Sequence, residues 1–98
     1  MRLPLMILAV MTAVFGAAQS PPPIPPEARQ FDFWLGSWEV VAGGKVVGHN
    51  RIESIHGGRV LHENYTTKGI FVGNSYNSYN VAAKRWEQFW VDNSGTIL

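Results

Sequence analysis

The chain has 98 residues, 46% hydrophobic and 15% charged, with eight basic against seven acidic side chains and a net charge of +1. That length accommodates one domain at most, and the near-neutral balance gives no electrostatic footprint for nucleic acid or an anionic membrane. With no cysteine in the chain, a disulfide framework, a thiol nucleophile, a zinc–thiolate site and a lipidated cysteine are all excluded.

In chain order, Met1-Arg2 supplies a short positive start. Leu3 to Phe15 is an apolar run interrupted only by Pro4 and Thr12, and Gly16-Ala17-Ala18 places small residues where a signal peptidase cuts. This pattern predicts a secretory signal peptide over residues 1–18, with the mature chain exported to a bacterial periplasm or secreted. The alternative is an uncleaved membrane anchor, for which a run of about 20 apolar residues is usual. Loss of Arg2 with the leader leaves seven basic and seven acidic side chains, a neutral surface that predicts no membrane attachment after cleavage. Residues 19–30 form a linker in which Ser20 to Pro26 has the composition of a polyproline II segment. Its plain role is that of a spacer; the sharper one is a ligand for a proline-binding module.

The folded body is expected over residues 31–98. It opens on Phe31-Asp32-Phe33-Trp34-Leu35-Gly36-Ser37-Trp38, an aromatic plug that Gly36 turns into a first strand, with a turn of helix at most over residues 27–35. No proline follows Pro26, which suits a continuous hydrogen-bonded sheet because proline removes ladder donors. Trp38 to Ala42 is predicted as a strand, and Gly43-Gly44 as a two-residue hairpin turn with positive φ at both centres. Lys45 to Ile55 returns, with Val46, Gly48, Asn50 and Ile52 on one face and His49, Arg51 and Glu53 on the solvent side. Gly57-Gly58 turns into a third strand, Arg59 to Thr67. Lys68-Gly69 turns into a fourth, Ile70 to Val81, with a bulge expected at Gly73. Ala82 to Arg85 turns into a fifth, Trp86 to Asp92. Asn93-Ser94-Gly95 turns again, and Thr96-Ile97-Leu98 begins a sixth.

Short strands at even spacing with turns between them predict an all-β, antiparallel up-and-down meander, part of a β-barrel. Such a barrel takes about eight strands, so the domain is expected to be incomplete at its C-terminus, or else an open sheet completed by a partner chain. The aromatic plug is expected to cap one end of the rolled sheet, with Trp38 turned inward.

These residues resemble a known family. Phe31 to Trp38 follows the pattern Phe-Asp-Phe-Trp-x-Gly-x-Trp, Asn50 to Glu53 the pattern Asn-x-Ile-Glu, and Gly58 to Glu63 the pattern Gly-x-x-Leu-x-Glu. Ser75 to Tyr79 follows Ser-x-Asn-x-Tyr, and Trp86 to Asp92 follows Trp-x-Gln-x-Trp-Val-Asp. Together they resemble an uncharacterised bacterial family of calycin-like, lipocalin-like domains, over the whole of residues 31–98. The resemblance implies an antiparallel barrel; the family carries no assigned activity.

Alternation places Ser75, Asn77 and Tyr79 on one face of the fourth strand, and Trp86, Gln88, Trp90 and Asp92 on one face of the fifth. If these faces point inward with Asn50 and Tyr65, then Asn50, Tyr65, Ser75, Asn77, Tyr79, Trp86, Gln88 and Trp90 form a wall for a small apolar or amphipathic ligand, its amides fixing orientation. The alternatives are that these faces point outward, or that the polar groups satisfy one another inside a packed core. Glu63 is the candidate catalytic acid or base, against a structural carboxylate paired with Arg59 or Arg51. His49, His56 and His62 lack metal-ligand spacing, and no metal or other cofactor is expected. Asp92-Asn93-Ser94-Gly95 carries too few oxygens for calcium and suits a turn. No nucleophile elbow, phosphate loop or His-Glu-x-x-His is present. The functional expectation is a small-molecule binding domain. The alternatives are an enzyme using a carboxylate such as Glu63 or Asp92, and a ligand-free structural domain.

Overall fold

The computed structural model describes residues 20–98; the leader expected over residues 1–18 lies outside them. Five strands run in chain order: β1 (Gly36–Ala42), β2 (Lys45–Ile55), β3 (Val60–Thr67), β4 (Val72–Asn80) and β5 (Arg85–Asp92). They form one antiparallel sheet of order β1-β2-β3-β4-β5. The protein is therefore all-β with a meander topology, and the sheet is not closed into a barrel, since β1 and β5 are its outer strands.

The hairpins follow turn chemistry. Gly43 and Gly44 both take positive φ, 57° and 74°, the conformation in which a two-residue turn continues the right-handed strand twist. A single 3-10 turn, His56–Gly58, joins β2 to β3. The expected start of the fourth strand at Ile70 is corrected to Val72, because residues 68–71 form a loop in which the Thr67 N–H donates to the Phe71 carbonyl at 3.1 Å. The bulge expected at Gly73 is not there: Gly73 pairs regularly with Tyr65 and Asp92. The irregularity lies between β1 and β2, where the partners of Val40 and Val41 are Gly48 and Val46, so that β2 carries Val47 as an extra residue. Beyond β5, Leu98 and Trp90 exchange both backbone hydrogen bonds at 3.0 Å, and Ile97 makes an isolated bridge to Val91 where a sixth strand is expected.

Across one face the register aligns Trp38, Asn50, Tyr65 and Gly73 with Asp92, and Ile52, Glu63 and Ser75 with Trp90. It also aligns Ser54, Leu61 and Asn77 with Gln88. Directly opposed residues of an antiparallel pair share a side. The N-terminal segment lies on this face as a strap: two 3-10 turns, Pro26–Arg29 and Asp32–Trp34, cross one end of the sheet. The Arg59 guanidinium donates to the carbonyls of Pro22 and Pro23, Arg29 donates to the Gly58 carbonyl, and the Trp86 indole N–H reaches the Glu27 carbonyl at 3.1 Å.

Among the described residues the buried hydrophobic side chains are Ala28 of the strap and Ile52 and Leu61 of the sheet. The aromatic cluster lies on the expected face but is not enclosed: Phe33 is 73% exposed and Trp38 45%. Trp38 is held from the strap side, where the Trp34 carbonyl accepts its indole N–H at 2.6 Å.

Candidate functional site

Every residue named above as a candidate ligand contact, and Glu63 with them, belongs to the strap-side face. The middle of that face is a continuous hydrogen-bond chain across four strands. Gln88 Nε2 donates to Asn77 Oδ1 at 2.8 Å, Asn77 Nδ2 donates to Ser75 Oγ at 2.8 Å, and Ser75 Oγ donates to Glu63 Oε1 at 2.6 Å. From the other side, Asn50 Nδ2 donates to Glu63 Oε2 at 2.6 Å. All donors point toward the carboxylate, the one group of the chain that can only accept when ionised. Ser75, Asn77 and Glu63 are buried, and buried polar groups of this kind persist because each has a partner. Asn50 Oδ1 is the exception, buried without a donor among the described residues.

Glu63 is thus a partnered carboxylate, but the expected partners are corrected. Arg51 lies on the opposite face, 3.6 Å from Glu53, and Arg59 is turned to the strap carbonyls. Neutral amide and hydroxyl donors take the place of an arginine.

An aromatic cluster stands at each end of this chain. At one end Tyr65, Phe71 and Trp90 approach with ring centroids 6.3–6.5 Å apart, and the Trp90 indole N–H donates to Asp92 at 2.8 Å. At the other end Phe31 meets Trp86 edge to face, centroids 4.8 Å apart and planes at 81°. Tyr79 lies 6.3 Å beyond Trp86.

Between the strap and this second cluster is a cavity of about 440 Å³, within the usual range for small-molecule sites. Phe31, Phe33, Trp34 and Trp86 wall it, and Leu61, Asn77 and Gln88 reach it from the sheet. Of the anticipated ligand residues, Asn77, Trp86 and Gln88 therefore line this cavity. Tyr79 stands behind Trp86, Ser75 lies within the polar chain, and Asn50, Tyr65 and Trp90 belong to the far end of the face. The strap residues Phe31, Phe33 and Trp34 and the strand residue Leu61 were missed as lining residues. Their aromatic density marked the strap as apolar, but no local signal says that it lies across β5.

The opposite face carries a separate cluster. The His62 ring stacks on Tyr76, centroids 4.7 Å apart, with Nδ1 3.4 Å from Glu53 and Nε2 3.3 Å from Asn74. His49 stands opposite Glu39 and Thr66, away from His62. The Asp92 turn is built as expected of a turn: the carboxylate accepts from the Ser94 hydroxyl, the Ser94 and Thr96 N–H groups and the Trp90 indole. Those bonds, the Ser94 hydroxyl first, hold its pKa below the ordinary aspartate range. The Asn80 amide and then Arg85 do the same for Glu87.

Compared with known proteins, the chain matches no family model, no curated protein and no solved structure.

Proposed function

We propose that this chain is an exported, calycin-like binding module that holds a small hydrophobic or amphipathic molecule between its N-terminal strap and the sheet. The observation that carries the reading is the cavity itself: one space joins four aromatic side chains to the amide end of a buried polar chain. Apolar walls supply affinity in proportion to the area they remove from water, and a few polar groups supply orientation. The leader-like start supports export, and the five motif segments between Phe31 and Asp92 support the calycin-like assignment. Turnover through Glu63 has less behind it, because both carboxylate oxygens already accept internal donors and Glu63 is not a lining residue of the cavity.

The test is a titration of the protein with a panel of uncharged and charged apolar probes, read by intrinsic tryptophan fluorescence. A saturable change with at least one probe, weakened in Trp86→Leu, is expected, with no chemical conversion of the probe. A flat response to the whole panel overturns the proposal.

A further inference from the structure

The cavity between strap and sheet also says something about the head group it would accept. Its polar floor offers an acceptor and few donors. Both Nδ2 hydrogens of Asn77 are committed, to the Leu61 carbonyl at 3.1 Å and to Ser75 Oγ at 2.8 Å. Those of Gln88 go to Asn77 Oδ1 at 2.8 Å and Ser75 Oγ at 3.4 Å. The Trp86 indole N–H is shared between the Glu27 carbonyl and Gln30 Oε1. Gln88 Oε1, by contrast, receives no donor among the described residues, which leaves it as the acceptor on the sheet side. Among the described lining residues, the Trp34 indole N–H is the one remaining ring donor.

Charge points the same way. Among the described residues, no Lys, Arg or His lines the cavity. Glu87 meets the rim from the other side of β5, where Asn80 and Arg85 hold its carboxylate at 3.2 and 3.0 Å, so it supplies no free anion. An anionic head would enter without a counter-charge and with a single donor, and a desolvated anion without partners is strongly disfavoured. The walls favour the opposite sign. Phe31 and Trp86 meet at 81° and Phe31 and Phe33 at 42°, so the rings form a corner. Aromatic faces carry the negative part of the ring quadrupole and attract cations placed over them.

We infer that the cavity takes an amphiphile with a protonated amine head, its N–H donated to Gln88 Oε1 and its charge set among the rings of Phe31, Phe33, Trp34 and Trp86. The inference rests on the binding function proposed above and narrows it to a ligand class.

Three probes of one chain length separate the two ideas: octylammonium, octanol and octanoate, each titrated below its aggregation limit and followed by tryptophan fluorescence and calorimetry. Octylammonium is expected to bind roughly tenfold more tightly than octanol, the scale of a partly desolvated cation–π contact, and octanoate most weakly. Phe33→Leu removes a ring face that is 73% exposed while keeping an apolar side chain, and should lower the octylammonium affinity several-fold more than that of octanol. Equal or tighter binding of octanol or octanoate overturns the ligand class and leaves the binding function standing. Equal losses for octylammonium and octanol in Phe33→Leu overturn the role of the rings. No response to any of the three overturns the ligand class, while the wider panel still decides whether the cavity binds at all.

Discussion

The indole of Trp90 lies directly over the backbone of Gly73. A Cβ built on Gly73 would overlap Cζ2 and Cη2 of the ring and stand 3.1 Å from Cε2. The contact links β5 to β4 across the diagonal of two paired rungs, and it gives Gly73 a packing reason rather than a conformational one.

Gly73→Ala should therefore displace Trp90 and break its 2.8 Å bond to Asp92. Overpacking of this kind costs about 1–3 kcal/mol, to be read from urea unfolding, with a loss of near-ultraviolet circular dichroism. Gly69→Ala is the control: its nearest neighbour would be 3.7 Å away, and a change within about 0.5 kcal/mol is expected.

The buried chain centred on Glu63 should behave as a unit. Ser75→Ala removes a donor from Glu63 and the acceptor shared by Asn77 and Gln88, and leaving such groups unpartnered costs about 1–3 kcal/mol. Glu63→Gln turns an acceptor into a donor facing either Asn50 or Ser75, at similar cost. The double variant should lose less than the sum of the two, with a coupling of about 0.5–3 kcal/mol. Strict additivity would mean that the chain is not connected as described.

Trp86 ties the strap to β5 through the Glu27 carbonyl and Gln30 Oε1. Trp86→Phe keeps an edge-to-face partner for Phe31 and deletes both hydrogen bonds, at a cost of about 0.5–1.5 kcal/mol. Tryptic cleavage after Arg29 should speed up relative to cleavage after Arg51, which lies within β2.

Acid should loosen the Asp92 turn late. The folded carboxyl binds its proton more weakly than the unfolded one, so its stabilising contribution is complete above the unfolded value of about 3.9. The contribution is lost as pH falls through the lower folded value. Carboxyl-carbon NMR should place the Asp92 midpoint below that of ordinary aspartates. Asp92→Asn should remove this part of the acid dependence, and an unshifted midpoint would contradict the bonds from Ser94 and Trp90.

The strands, their turns and the side shared by residues within each strand follow from the sequence by itself, because period-two alternation and turn chemistry are local. Gly43-Gly44 is a hairpin at the expected place, and Ser75, Asn77 and Tyr79 keep their common side. The sequence also singled out the aromatic segment from Phe31 to Trp38 and the polar residues of β4 and β5. It did not say that Glu63 would be held by Asn50 and Ser75, since strand register is a long-range choice that no window around Glu63 contains. Nor did it place Phe31 against Trp86, because the docking of the strap depends on which sheet carbonyls and indoles lie within its reach once the strands are paired. Those two tertiary decisions turn an alternating pattern into a buried polar chain and a walled cavity.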